Sequence, residues 1–125
     1  MVRYIESEIP DAIAPAWIVL TNANEGGSEQ LAAVEGDFIF VFPNQSVEAR
    51  RSAIASAAAS LVSSGLCIVH EGSESQATIA DHSIRELHSD PASWDRAVIA
   101  TTAHGRKVWL GGPGLLLQKL ASDAA

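Results

Sequence analysis

One segment of this 125-residue chain, Ser46 to Ser64, constrains the fold more than any other. Pro43 blocks a helix from continuing upstream, Asn44 or Ser46 can cap the first free amides, and Gly65 supplies the left-handed residue that ends a helix. Apolar residues recur at spacings of seven, four and three, and they are Val47, Ile54, Ala58 and Leu61. This spacing predicts a long helix with one apolar stripe that packs against a core.

The other face of this helix carries small, uncharged side chains instead of the lysines and glutamates typical of a solvated face. Ser52, Ser56 and Ser60 are interleaved with alanines there. Small residues let a second backbone approach closely. The face therefore either packs against the rest of this chain or forms a contact surface for a partner or a second copy, as in a homodimer, and both interpretations stay open.

Shorter helices are indicated on both sides of the long one. Trp17–Thr21 follows Pro15, which favours a first helical turn, and Glu29–Val34 follows a glycine break. Further along the chain, Thr78 can cap another helix, and Asp90-Pro91 can start a single turn. The residues that these later helices are expected to bury are Ala80, Ile84, Leu87 and Trp94, followed by Leu116, Leu117 and Leu120 in a last helix over Leu115–Ala121.

Two segments rich in β-branched residues, Leu66–His70 and Ala97–Thr102, predict strands. Lys107–Leu110 predicts a third strand, joined to the second by a tight turn at His104-Gly105, where glycine adopts a positive φ freely. Asp37–Phe42 is ambiguous. The alternation of its three phenylalanines favours a strand, whereas a continued helix requires tertiary packing to override that preference.

Two stretches form a recurrent pattern. The first runs from Asp37-Phe38-Ile39 through Pro43 to a capped helix that ends in Leu61-Val62-Ser63-Ser64-Gly65-Leu66, and the second joins Leu87, Asp90-Pro91 and Trp94 to the segment 98–106. Over roughly residues 15–110 the pattern resembles small bacterial winged-helix-like proteins. The resemblance implies an α+β fold in one domain over residues 1–125, with a three-helix unit followed by a β-hairpin wing. It also implies that Asp37–Phe42 is helical and that a turn containing Gly105 and Arg106 tips the wing.

The net charge of −7 is unevenly placed, because residues 1–48 hold eight acids and one base while residues 49–125 hold seven of each. The single cysteine, Cys67, excludes an internal disulfide framework. No apolar run approaches the roughly 20 residues that a bilayer requires, and the N-terminus has no charged region followed by an apolar stretch. These features predict a cytoplasmic protein without a membrane partner.

No set of residues predicts catalysis. Cys67 and His70 have a metal-like spacing, but residues three apart in a strand face opposite sides of the sheet. His82 and His88 diverge around a helix. An apolar strand around Cys67 predicts an inert, buried thiol. We therefore expect a binding protein with neither a metal nor a cofactor.

The acidic first part of the chain predicts a basic protein as partner. The candidate contact residues are Glu25, Glu29, Glu35 and Asp37. By analogy, small acidic proteins of this kind look like immunity or antitoxin proteins, which neutralise basic nuclease toxins through complementary charge.

The winged-helix resemblance implies DNA binding as the alternative, with the third helix in the major groove. Arg50 and Arg51 on that helix, and Arg106 and Lys107 at the wing tip, would contact phosphates. These four bases are few for a site that depends on phosphate neutralisation, and a net charge of −7 repels the duplex. The sequence therefore favours the protein partner.

Overall fold

The computed structural model describes residues 9, 11–72 and 77–124, which form a small α+β domain. Seven α-helices and three strands lie in this part of the chain, with short 3-10 turns at Asp11–Ile13 and Leu87–Ser89. In chain order they are α1 (Ala14–Glu25), β1 (Ser28–Gln30), α2 (Leu31–Val41), α3 (Val47–Ser63), β2 (Cys67–Glu71), α4 (Asp81–Ile84), α5 (Pro91–Arg96), β3 (Ala97–Thr101), α6 (Ala103–Gly111) and α7 (Pro113–Ala124). Glu6, Glu8 and Glu74, three of the acids in the charge count, lie outside the described residues.

The three strands form an antiparallel sheet with the order β1-β3-β2. Ile99 stands at its centre, opposite Glu29 on one side and Val69 on the other. Alternation along β2 turns Cys67 and Val69 into the core and leaves Ile68 exposed. The two strands predicted at Leu66–His70 and Ala97–Thr102 are therefore confirmed, and they pair with each other.

The core lies between the inner face of the sheet and the helices α1, α2 and α3, which pack against one another. Its largest fully buried side chains come from nearly every element, and they include Ile18, Leu20, Leu31, Phe38, Ile54, Leu61, Leu66, Ile84, Trp94, Ile99 and Leu116. The inward positions of Ile84, Trp94 and Leu116 agree with the sequence pattern.

Helix α3 begins and ends where its capping residues predict. The Ser46 hydroxyl accepts a hydrogen bond from the Ala49 amide at 3.1 Å. At the other end Gly65 has a φ of 75°, and the Leu66 amide donates to the Leu61 carbonyl at 2.9 Å. This is a Schellman ending, which satisfies carbonyls that the helix leaves free.

The ambiguous segment 37–42 is helical through Val41. Leu31, Val34 and Phe38 recur at helical spacing and are fully buried against the neighbouring helices. Their burial overrides the strand preference of the alternating phenylalanines. As a consequence Phe40 is left outside, with 55% of its surface exposed.

The predicted strand Lys107–Leu110 and the hairpin turn at His104-Gly105 are wrong, because both segments lie in α6. The Thr102 hydroxyl caps this helix by accepting from the Gly105 amide at 3.0 Å, and it donates to the Gly65 carbonyl at 2.8 Å. A Cβ atom at position 105 would overlap the Leu66 carbonyl. Gly105 is therefore needed for close backbone contact, and its φ is not in the left-handed region.

Helix α6 is held against α1 through an aromatic pair. The rings of Trp17 and Trp109 stack with centroids 6.2 Å apart, and Trp109 Nε1 donates to the buried Thr21 hydroxyl at 3.0 Å. This contact, rather than strand pairing, positions the segment 103–111. The prediction that Leu117 is buried is also wrong, since that side chain of α7 is exposed.

Candidate functional site

Of the four acids predicted to contact a partner, Glu35 is committed to contacts within the chain. Its side chain is 13% exposed, and both of its oxygens lie 3.1 Å from Arg51 Nε. Trp94 Nε1 donates to Glu35 Oε2 at 2.9 Å, and Arg50 Nε lies 3.8 Å from Oε1. The carboxylate therefore joins α2, α3 and α5, and these contacts leave it little surface for a partner.

The other three acids differ in their exposure and in their hydrogen bonds. Asp37 is half-buried and accepts a hydrogen bond from Asn22 Nδ2 at 2.9 Å. Glu29 is half-buried on the edge strand β1, where its carboxylate accepts from the Gln30 amide at 2.9 Å. Glu25 is exposed at the end of α1. These three lie on α1, β1 and α2, which are in contact with one another.

Of the four bases proposed to contact DNA phosphates, two are held by contacts within the chain and two are exposed. Arg50 is buried, and Arg51 is ion-paired with Glu35, so both guanidinium groups face a carboxylate of the chain itself. Arg106 and Lys107 are exposed, but they belong to α6 and not to the tip of a hairpin.

The serine face of α3 is partly covered. Ser56 is exposed, while Ser52 and Ser60 are half-buried. Ser56 and Ser60 line a shallow cavity of about 280 Å³ that is shared with Pro15 and Leu120. The face therefore packs in part on α1 and α7, and the interpretation as a surface for a second copy stays a prediction.

An apolar surface that the sequence pattern missed lies where α2 ends and α3 begins. Ile39, Phe40 and Val47 are 47%, 55% and 52% exposed, and we call these three residues the α2–α3 corner. The spacing predicts that Val47 belongs to the buried stripe of α3, and this prediction is wrong. The first turn of α3 extends past the core, so the spacing of Val47 matches the stripe although no neighbouring element covers it.

One acidic residue adjoins this corner. Glu48 follows Val47 directly, is exposed, and has no ion-pair partner in the described part of the chain. Exposed large apolar residues beside a charged residue are typical of a protein contact surface.

His70 and Cys67 lie in β2 and have local structural environments. His70 Nδ1 donates to the Gly72 carbonyl at 2.6 Å, which gives the ring a local structural partner. Burial raises the pKa of the Cys67 thiol from 9.0 to about 12, so the thiol is not activated as a nucleophile. Within residues 9, 11–72 and 77–124, no three histidine, cysteine or acidic side chains cluster as metal ligands would.

Comparison of this chain with family models, curated proteins and solved structures finds no significant match. None of the helices described here has the length and apolar character needed to cross a membrane.

Proposed function

We propose that this protein is a non-enzymatic, protein-binding module whose α2–α3 corner docks a basic partner protein. The observation that carries the proposal is the exposure of Ile39, Phe40 and Val47 beside the exposed carboxylate of Glu48. Large apolar side chains that are roughly half exposed in one region supply the anchors of many interfaces, whereas single exposed leucines are ordinary.

Charge determines which partner fits. Glu35 is already neutralised by Arg51, whereas Glu48 is exposed directly beside Val47. A partner with lysines or arginines around an apolar projection complements such a surface. Complementary charge mainly raises the association rate and excludes wrong partners, while the apolar anchors slow dissociation.

The biological role that agrees best with this surface is that of an immunity or antitoxin protein. Such a protein acts by covering the basic, nucleic-acid-binding face of a toxin in the cytoplasm, which requires a stable acidic surface and no catalytic group of its own. The assignment rests on the character of the surface, and the toxin would be recognised through its positive charge.

Affinity capture with nuclease treatment tests the proposal. Immobilised full-length protein should retain a basic protein from an extract of the source cells, and nuclease should leave that retention unchanged. Phe40→Asp should abolish retention. Leu117→Asp changes another exposed apolar residue on α7 and serves as the matched control, which should bind like the wild type. Equal retention by Phe40→Asp, or loss of retention after nuclease treatment, would contradict the proposal.

A winged-helix DNA-binding regulator is the second candidate, and one observation favours it. The helices α1, α2 and α3 precede two strands, β2 and β3, that pair with each other, as in a three-helix unit followed by paired strands. The segment between β2 and β3 would then take the place of the wing, and it contains the helices α4 and α5. Against this candidate, Arg50 and Arg51 are held by Glu35. Retardation of genomic DNA fragments at low salt, weakened in Lys107→Ala, would support it.

A further inference from the structure

A second surface, separate from the α2–α3 corner, lies over the first two turns of α6. A cavity of about 390 Å³ opens there, and we call it the α6 groove. Its lining residues are Thr101, Thr102, Ala103, Arg106, Lys107 and Leu110. This lining contains two cations and no acid, in a chain whose net charge is −7.

Among the described residues, the two cations of the α6 groove form no ion pair. The arginine and lysine ion pairs in that part of the chain engage Arg50 and Arg51 with Glu35, Arg96 with Glu71, and Lys119 with Asp123. Arg106 and Lys107 are exposed and have no carboxylate within ion-pair distance in that part of the chain. Adjacent on the first turns of one helix, they can engage two neighbouring negative groups together.

The remainder of the groove suits an apolar group with a polar neighbour. Leu110 is 70% exposed, the highest value among the large apolar residues of the described chain, and it stands at helical spacing from Arg106 and Lys107. Thr101 lines the same cavity, and its buried Oγ1 has no hydrogen-bond partner among the described residues.

We propose that the α6 groove binds an acidic segment of a partner protein, with its carboxylates on Arg106 and Lys107 and an apolar side chain on Leu110. Two cations match a short acidic segment, whereas a nucleic acid site depends on many phosphate contacts. The apolar surface of Leu110 also favours a peptide, since a phosphate backbone offers it no counterpart. This surface differs in sign from the α2–α3 corner, so the two sites select different partners.

Fluorescence polarisation with a labelled acidic peptide that has a central leucine tests this site directly. The full-length protein should bind the peptide at low salt, and it should not bind the same peptide with glutamines in place of the acids. The double variant Arg106→Glu, Lys107→Glu should weaken binding by roughly tenfold or more, and Leu110→Ser by several-fold. Arg85→Glu is the matched control, because it reverses an exposed base outside the groove and should leave the affinity near that of the wild type.

Three results would overturn the assignment. The first is absence of peptide binding at low salt, and the second is equal affinity of the double variant and the wild type for the peptide. The third is that a short DNA duplex displaces the peptide and that the double variant loses more affinity for the duplex than for the peptide. None of these results depends on Phe40. Failure of the α6 groove proposal can therefore be distinguished from failure of the proposal that a basic partner docks at the α2–α3 corner.

Discussion

Trp94 Nε1 donates a hydrogen bond of 2.9 Å to Glu35 Oε2 across 59 residues of sequence. The same carboxylate faces Arg51 on α3, so one acid joins three helices. In the linear sequence Glu35 belongs with the surplus acids of the first 48 residues. In the folded chain it pairs with Arg51 and lies 3.8 Å from the buried Arg50, so it is largely removed from the acidic surface and both arginines face inward towards it.

Glu35→Gln should lower the free energy of unfolding by about 2 kcal/mol, because Arg51 loses a charged hydrogen-bond acceptor and the buried Arg50 loses its nearby countercharge. Urea unfolding followed by tryptophan fluorescence measures the change. Glu29→Gln is the control at the sheet edge, and we expect a change within about 0.5 kcal/mol. Equal stability losses in the two variants would contradict a structural role for Glu35.

Trp94→Phe should also destabilise the fold, by about 1–3 kcal/mol, since it removes the indole N–H and leaves Glu35 Oε2 without that donor. Because both partners act through one hydrogen bond, the loss in the double variant Glu35→Gln, Trp94→Phe should be smaller than the two single losses combined. Simple additivity in a double-mutant cycle would show that the two side chains are not coupled.

The parts of the fold that were predictable from sequence are those with local signals. Caps and a left-handed glycine define α3, and β-branched runs define β2 and β3. The predictions that failed concern segments whose structure depends on contacts between parts of the chain that are distant in sequence. The dipeptide His104-Gly105 has the residue types of a hairpin turn. Gly105 is needed, however, because the first turn of α6 packs on the Leu66 backbone. Nothing in the sequence near 105 encodes that approach.

The candidate site was predictable only as a charge asymmetry. Counting acids locates the negative charge in residues 1–48, but it does not distinguish Glu35, which is ion-paired, from Glu48, which is exposed. The α2–α3 corner was missed because Val47 fits the apolar spacing of a helix whose first turn no other element covers. Pairing and coverage are properties of the tertiary structure.

Gly105→Ala should destabilise the protein by about 2 kcal/mol or more, because the new methyl group would overlap the Leu66 carbonyl and the backbone must move. Gly36→Ala is the matched control, since a Cβ at that position in α2 meets nothing within 4 Å. There we expect a gain of about 0.5–1 kcal/mol from helix propensity. Thermal unfolding of both variants measures the difference, and a tolerated alanine at 105 would contradict the close approach.

Cys67 should resist thiol reagents in the native state and react fully once the chain is unfolded, because burial raises its pKa to about 12 and excludes the reagent. The raised pKa also gives a pH dependence. The unfolded thiol ionises near its ordinary pKa of 9.0 while the folded thiol stays protonated, so this contribution to stability is complete below pH 9. It is lost as the pH rises from about 9 towards 12.

The control for this dependence is Cys67→Ala, in which the free energy of unfolding should fall less over the same alkaline range than it does in the wild type. Parallel pH profiles, or rapid labelling of the native protein at pH 8, would contradict the buried position of the thiol.

The salt dependence of association with the captured basic protein tests the central claim most directly. With the purified partner, the account predicts an association rate constant that falls roughly tenfold or more between low and physiological salt. Reversal of Glu48 to lysine should weaken that dependence, and Phe40→Asp should accelerate dissociation instead. An association rate that does not change with salt, or that is unaffected by the reversal of Glu48, would contradict an acidic docking surface at the α2–α3 corner.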